Sequence, residues 1–196
     1  MSDHTDRSRG VVRDAAREKR RQLAFRAFHR YYRRAYLRYA ELQLGDRQVA
    51  ERVVHLVFVS LLKGWNRLME EANPARSAWA HLREAVDEVL IHEDRPSALP
   101  ETAAFARVRR AVLEGTRDEF AVMESSVGLY PAIARLPARQ LDTVVLYYVQ
   151  GYSTAQTAQI MGVDEATVRS HRQHARQRLA LDLKIELGAG TDRHEK

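Results

Sequence analysis

Residues 136–179 read LPARQLDTVVLYYVQGYSTAQTAQIMGVDEATVRSHRQHARQRL and carry the start and stop signals of three successive helices. Pro137 suits the first turn of a helix, because the N–H that proline lacks needs no partner there. Ser153, with a glutamine three residues later, matches a capping box that begins a short helix. Gly162 suits a left-handed turn position, and Asp164 is a favourable N-cap for the last helix. This order of helix, glycine turn and helix predicts a helix-turn-helix.

The last of these helices has a polar and basic outer face. Its inner, apolar stripe is expected to consist of Val168, Ala175 and Leu179. The opposite face then presents Ala166, Arg169, Ser170, Gln173, His174 and Gln177. Arginine and glutamine can read guanine and adenine edges in a major groove, and Arg176 and Arg178 can hold phosphates. An ordinary helical hairpin with a solvated basic face is the alternative, but two caps, the turn glycine and the basic face together favour DNA binding.

The composition agrees with a folded protein that has a polyanionic partner. Of 196 residues, 45% are hydrophobic and 30% charged, and the formal net charge is +6. Basic residues crowd into 13–38 and 169–178, whereas 79–102 holds two arginines against six acidic residues. The absence of cysteine excludes disulfides, thiolate zinc sites and cysteine nucleophiles.

Apolar residues recur at helical spacing along most of the chain, and no alternating strand pattern is present. The main helices upstream of the motif are predicted at 11–44, 48–69 and 76–91, with short ones at 103–113 and 119–127. The prolines at 96 and 100 indicate a linker. We therefore expect an all-α protein with two small helical domains, bounded as a disordered N-terminus at 1–10, a helical domain at 11–92, a linker with short helices at 93–129, a helix-turn-helix domain at 130–187 and a disordered tail at 188–196.

The remaining sequence offers no sign of catalysis or of a cofactor. The histidines are scattered, and the nearest pair, His171 and His174, has no acidic or cysteine companion to complete a metal site. No phosphate-cradling glycine loop or serine-nucleophile elbow is present. Residues 1–10 are polar, and no stretch reaches membrane-spanning length. We expect a cytoplasmic protein without catalytic or metal-binding residues, cofactor, small-molecule substrate or membrane contact, and thus not an enzyme.

Tyrosines and arginines alternate in the first predicted helix. The tyrosines are Tyr31, Tyr32, Tyr36 and Tyr39, and the arginines are Arg30, Arg33, Arg34 and Arg38. Such a pattern can form a stacking surface for single-stranded nucleic acid. The interpretation that we favour places Tyr31 and Tyr39 in the core and the arginines on the outside.

Residues 136–179 resemble region 4 of sigma factors of the extracytoplasmic-function (ECF) branch of the sigma-70 family. The matching positions include Leu136, Pro137, Arg139, Gly151, Ser153, Ala158, Gly162, Thr167, Val168, Ser170, Ala175, Arg176 and Leu179. In that family the unit reads the −35 promoter element. The resemblance assigns −35 contact to Arg169, Ser170, His171 and Gln173, and phosphate contact to Thr154, Thr167 and Arg176. Arg172 stands where the family usually has leucine, and we expect its side chain to extend outward.

The same short motif occurs in LuxR-type response regulators, so the upstream half distinguishes the two families. Residues 25–68 resemble ECF region 2, with a basic aromatic helix followed by Gly45-Asp46-Arg47 and later Trp65. A response regulator would begin with an α/β receiver pattern, which is missing. The resemblance implies that the helix at 48–69 docks on the β′ clamp helices of core RNA polymerase through Glu51, Arg52, His55, Leu56 and Val59.

Region 2 departs from the family pattern at two places. Arg52, His55 and Leu56 replace aspartate, glutamine and glutamate of the docking helix, so the contact would depend more on apolar burial. The loop expected to capture a −10 base contains Asn73, Arg76 and Ser77, and the helix after it is acidic. The resemblance implies a transcription initiation factor with promoter DNA, core polymerase and an anti-sigma factor as partners. The alternative is a sigma-like DNA-binding regulator, or an anti-sigma decoy, that does not itself support initiation.

Overall fold

The computed structural model describes residues 3–98, 132–133 and 135–182, with side chains from residue 16 onward. All regular elements in these ranges are helical, which confirms the predicted all-α class. They are α1 (Asp3–Leu44), α2 (Arg47–Lys63), α3 (Trp65–Glu70), α4 (Pro74–His92), α5 (Ala138–Val144), a π-helical segment (Val145–Val149), α6 (Thr154–Met161) and α7 (Glu165–Asp182). The short helices predicted at 103–113 and 119–127 and the tail at 188–196 lie outside the described residues.

Helix α1 begins eight residues before the predicted start at residue 11. Residues 3–10, which we expected to be disordered, continue the helix in the structure. Extending an existing helix is much easier than nucleating one.

The helix predicted at 48–69 is two helices, α2 and α3, which meet at Gly64. The side chain of Asp46 begins α2 by accepting hydrogen bonds from the backbone of Gln48 (2.7 Å) and Val49 (2.9 Å), which lower the pKa of its carboxyl group. Glycine is a poor helix former, and Trp65, the first residue after it, is buried in the core. There the indole packs edge-on against Phe25, with ring centroids 5.2 Å apart.

The helix at the start of the C-terminal unit also has a discontinuity. It begins after Pro137, as predicted, and its last turn, Val145–Val149, is π-helical. The wider turn ends with bonds from Gln150 N to Val145 O (2.9 Å) and from Tyr152 N to Leu146 O (3.1 Å). The chain then turns at Gly151, whose φ of 74° is readily adopted by glycine.

The N-terminal helices and the C-terminal helices contribute to one continuous set of buried side chains. It includes Tyr36, Phe58 and Trp79 from the first half and Leu146 and Leu179 from the second. The two halves are therefore in contact in this structure. The domain boundaries around residues 93 and 130 stay predictions, because residues 99–131 lie outside the described part. None of the described helices combines the length and apolarity needed to cross a bilayer.

Three of the four tyrosines of α1 are buried, and its arginines lie on the outside, so the favoured interpretation is right about Tyr39 and the arginines and wrong about Tyr31. Tyr32, Tyr36 and Tyr39 are in the core, whereas Arg30, Arg33, Arg34 and Arg38 are exposed. Tyr31 is different, because 49% of it is exposed. Its position on α1 lies beside the C-terminal half, and its hydroxyl donates to the side chain of Gln159 in α6. The core therefore includes Tyr39 but not Tyr31.

Candidate nucleic-acid interface

Helices α6 and α7 form the predicted helix-turn-helix, with the expected caps. Gln156 N donates to Ser153 Oγ (3.2 Å), and Ser153 N donates to Gln156 Oε1 (3.0 Å), so the capping box is complete. Gly162 has φ 63° and ψ 47°, the left-handed conformation predicted for the turn. These local bonds place the N-terminus of α7 directly after the turn.

Helix α7 buries one face and exposes the other. Val168, Ala175 and Leu179 are buried, as the periodicity predicts. The exposed side chains on the outer face are Ala166, Arg169, Ser170, Gln173, His174, Gln177 and Arg178. The guanidinium of Arg169 lies 3.4 Å from a carboxylate oxygen of Glu165, one turn earlier. This ion pair is exposed and therefore weak, so Arg169 can leave it for a base edge at little cost.

The other residues assigned to DNA contact differ in accessibility. Thr167, His171 and Arg176 are half-buried. Burial, followed by the nearby charges of Arg139 and His174, lowers the pKa of His171. The neutral imidazole that results can donate or accept a hydrogen bond but attracts phosphate less than a cation does. Thr154 is only 5% exposed, and its hydroxyl accepts a hydrogen bond from Arg172 (3.4 Å).

Arg172 is held at the edge of the core instead of extending freely outward. Its guanidinium lies over the ring of Tyr147, with 3.8 Å between the guanidinium carbon and the ring centroid. This cation–π contact and the bond to Thr154 retain the charge in a half-buried position. Arg172 thereby connects α7 to the π-helical segment and to the start of α6.

The loop before α4 contacts the turn of the helix-turn-helix. Asn73 accepts a hydrogen bond from Arg76 N (3.0 Å), which caps α4, and its amide donates to the carbonyl of Gly162 (2.8 Å). Arg76 and Ser77, which were expected in the −10 loop, lie instead in the first turn of α4, because Pro74 and the Asn73 cap begin the helix before them. Ser77 donates to the carboxylate of Glu71. Asn73 and Arg76 also line a cleft of about 620 Å³ together with Thr167 and His171 of α7. Two surfaces that the sequence analysis assigned to different promoter elements therefore face each other.

A methyl group at Gly162 should break this contact. A Cβ there would lie 2.6 Å from Asn73 Oδ1 and 2.7 Å from Arg76 Cα, and its φ is positive. Gly151 is a matched control, because its φ is also positive (74°) but no atom lies within 4 Å of its added Cβ. Gly151→Ala should lower the free energy of unfolding by about 1–2 kcal/mol through backbone strain alone. Gly162→Ala should lower it further in urea unfolding, and equal losses for the two variants would contradict the contact with α4.

A buried carboxylate connects the two halves, and it was not among the predicted site residues. Asp142 of α5 is fully buried. It accepts hydrogen bonds from the hydroxyl of Tyr39 (3.0 Å) and the indole N–H of Trp79 (3.0 Å), and it pairs with Arg83 at 3.3 Å. Burial raises the pKa of Asp142, an effect opposed chiefly by Arg83. The sequence did contain a signal for the burial of Asp142, because this residue lies on the apolar stripe of α5, three residues before the buried Val145.

Helix α2 presents the residues expected to bind polymerase on one exposed surface. Glu51, Arg52, His55 and Leu56 are exposed, and Val59 is half-buried beside them. Glu51 pairs with Arg47 (3.1 Å) one turn earlier. Leu56 is 65% exposed, so a large apolar side chain lies among these polar residues. The surface thus combines an apolar centre with mixed charges around it.

Comparison with known proteins places these features among bacterial transcription factors. Residues 128–179 match the family model "Sigma-70, region 4". Over 159 residues the chain is 33% identical to the ECF RNA polymerase sigma factor SigM of Mycobacterium tuberculosis. The matched residues cover 81% of this chain and 76% of the relative. The chain is 30% identical over 151 residues to the ECF RNA polymerase sigma factor SigL of the same species, covering 77% of this chain and 83% of the relative.

Proposed function

The chain belongs to the extracytoplasmic-function family of RNA polymerase sigma factors, and from that membership we propose that it recognises the −35 promoter element with the outer face of α7. Membership identifies a transcription initiation factor, with core polymerase and promoter DNA as its partners. The proposal concerns which residues read the promoter and which bind the polymerase. The observation that supports it most is the polar and basic face of α7, which the capped turn holds outward.

Three residues of that face are suited to base reading. Arg169, Ser170 and Gln173 are exposed on adjacent turns, and arginine and glutamine bind guanine and adenine edges in bidentate fashion. Thr167 and Arg176, at the flanks, are proposed to hold phosphates, and His171 to contribute a hydrogen bond. Thr154 is only 5% exposed, so contact of its hydroxyl with a phosphate would need a local rearrangement that exposes it.

Core polymerase is proposed to bind α2 at the surface formed by Glu51, Arg52, His55, Leu56 and Val59. Burial of the exposed part of Leu56 against the β′ clamp helices would supply the apolar centre of the contact. The mixed charges around it would set the orientation rather than the affinity.

Recognition of the −10 element is proposed for Asn73, the N-cap of α4, with Arg76 and Ser77 of the first turn of that helix. An exposed acidic surface on α4, which includes Glu84, Asp87 and Glu88, would direct DNA away from the rest of that helix because carboxylates repel phosphates. Arg76, exposed in the first turn of α4, is then the cation that would attract a strand. Contact with a −10 base would be confined to the N-terminal end of α4.

Simultaneous binding of the two elements would require the two halves to separate. The positions −35 and −10 differ by 25 base pairs, so the two elements lie about 85 Å apart at 3.4 Å per base pair. In the structure Asn73 is hydrogen-bonded to Gly162 at 2.8 Å, so the segments proposed to bind the two elements are in contact. The described arrangement is therefore proposed to be that of the free protein, and engagement of a promoter would break the contact.

Arg169→Ala should weaken promoter binding by about 1–3 kcal/mol and relax the preference at one base position, because a bidentate base contact is lost. Arg176→Ala is the comparison variant, and it should weaken all sequences alike and reduce the salt dependence, as loss of a phosphate contact does. The DNA affinity of each variant is measured by titration with promoter fragments recovered bound to the wild-type protein and with random-sequence duplexes. Unchanged binding of both DNAs by the Arg169 variant would show that α7 does not read the promoter.

A further inference from the structure

The exposed side of α1 carries four arginines at a spacing of four residues. Arg26, Arg30, Arg34 and Arg38 are all exposed, and we call them the arginine ladder. Successive members are separated by about 6 Å of helix rise, so the ladder is about 18 Å long. None of the four forms an ion pair with any residue whose side chain the structure describes. Arg33 adds a fifth exposed cation beside it.

The ladder is unfavourable for the helix itself. Residues four apart on a helix are neighbours, and like charges at that spacing repel each other. Elsewhere in the described helices, exposed charges at this spacing have opposite signs in Arg47 with Glu51 and Glu165 with Arg169, and an isolated like-charged pair occurs in Glu84 with Glu88. A mixture of signs would keep the protein equally soluble. Three successive repulsive pairs therefore indicate a surface that is compensated by a bound polyanion.

The position of the ladder indicates which polyanion it binds. Tyr31, between two of its arginines, donates a hydrogen bond to Gln159 of α6, and the Tyr32 hydroxyl lies 3.5 Å from the Gln159 carbonyl. The ladder is thus next to the helix-turn-helix. Planar guanidinium groups suit phosphate oxygens, which they bind in pairs of hydrogen bonds. A bilayer surface fits less well, because the apolar face of α1 is already buried in the core.

We propose that the arginine ladder is a second DNA contact, which binds the phosphate backbone of duplex DNA without reading its sequence. It rests on the proposed function, since it adds to the DNA surface of the helix-turn-helix. Its length covers about five base pairs at 3.4 Å each. Such a contact would hold the free protein on DNA and raise the local concentration of promoter sites for α7.

The test compares two triple variants of the full chain on a random-sequence duplex at several salt concentrations. Arg26→Gln with Arg30→Gln and Arg34→Gln removes most of the ladder. Arg47→Gln with Lys63→Gln and Arg67→Gln removes the same charge from exposed positions on α2 and α3. Each phosphate contact contributes about 0.9 to the slope of log K against log salt, so three lost contacts reduce it by up to about 2.7.

We expect the ladder variant to bind random duplex at least tenfold more weakly at low salt, with a reduced slope, while the control variant keeps the wild-type slope. The thermal unfolding temperature of the ladder variant at low salt should be higher than that of the wild type, because the repulsion within α1 is relieved. Equal slopes for the two variants would overturn the proposal, and so would selective loss of binding to anionic vesicles with duplex binding unchanged. Arg176→Ala, measured in parallel, tests the helix-turn-helix separately, so failure of the ladder leaves the proposed function testable.

Discussion

Replacing Asp142 with alanine should lower the free energy of unfolding by about 3–5 kcal/mol, because it removes one partner of a buried ion pair and leaves the other charge uncompensated. Arg83 would lose its 3.3 Å contact, and the buried Tyr39 hydroxyl and Trp79 N–H would lose their acceptor. For a protein of this size the loss corresponds to a decrease of roughly 6–20 °C in the unfolding temperature. Thermal and urea unfolding followed by circular dichroism would measure both quantities.

Asp87→Ala is the matched control for this variant. Asp87 also approaches Arg83, at 4.0 Å, but its side chain is exposed to solvent. An exposed ion pair contributes about 0–1 kcal/mol, so this variant should unfold almost as the wild type does. Similar stabilities for the two variants would mean that Asp142 is not the buried link between α1, α4 and α5.

Replacing Leu56 with aspartate should abolish co-purification with core polymerase. The contact proposed for α2 depends on burial of this leucine, and an unpaired charge within it would cost about 3–5 kcal/mol. That is a loss of more than about a hundredfold in affinity. Because Leu56 is exposed in the free protein, the change should alter the stability of the fold by no more than about 0.5 kcal/mol.

Met69→Asp provides the control, because Met69 is also an exposed large apolar residue but lies on α3. It should retain polymerase binding. Duplex binding by the C-terminal unit should be unchanged in both variants, since α7 is not altered. If the Leu56 variant still co-purified with polymerase, the docking surface would lie elsewhere on the chain.

Much of the fold and of the helix-turn-helix could be predicted from local signals. Ser153, Gly162 and the apolar stripe of α7 act within a few residues, through capping, a left-handed turn and helical periodicity, and each lies as predicted. The outer face of α7 follows from the same periodicity. Interactions of this kind depend on neighbours along the chain and are therefore visible in the sequence.

The features that escaped prediction depend on contacts between distant residues. Trp65, after the helix boundary at Gly64, packs against Phe25, and the exposed Tyr31 is hydrogen-bonded to Gln159 of α6. Thr154 was assigned to DNA on its position in the motif, yet only the packing of Arg172 over Tyr147 decides that its hydroxyl is occupied.

The amino-acid order was sufficient to identify an all-α chain with a helix-turn-helix, and the family resemblance drawn from it agrees with the relatives found. Only the tertiary structure placed Asp142 of α5 between Tyr39 and Trp79, and Asn73 against Gly162. These pairs are separated by 63 to 103 residues along the chain. A local sequence pattern does not indicate which distant residue donates to a buried carboxylate. Burial makes an unpaired polar group costly and so requires a partner, but the packing of the whole molecule determines which residue that partner is.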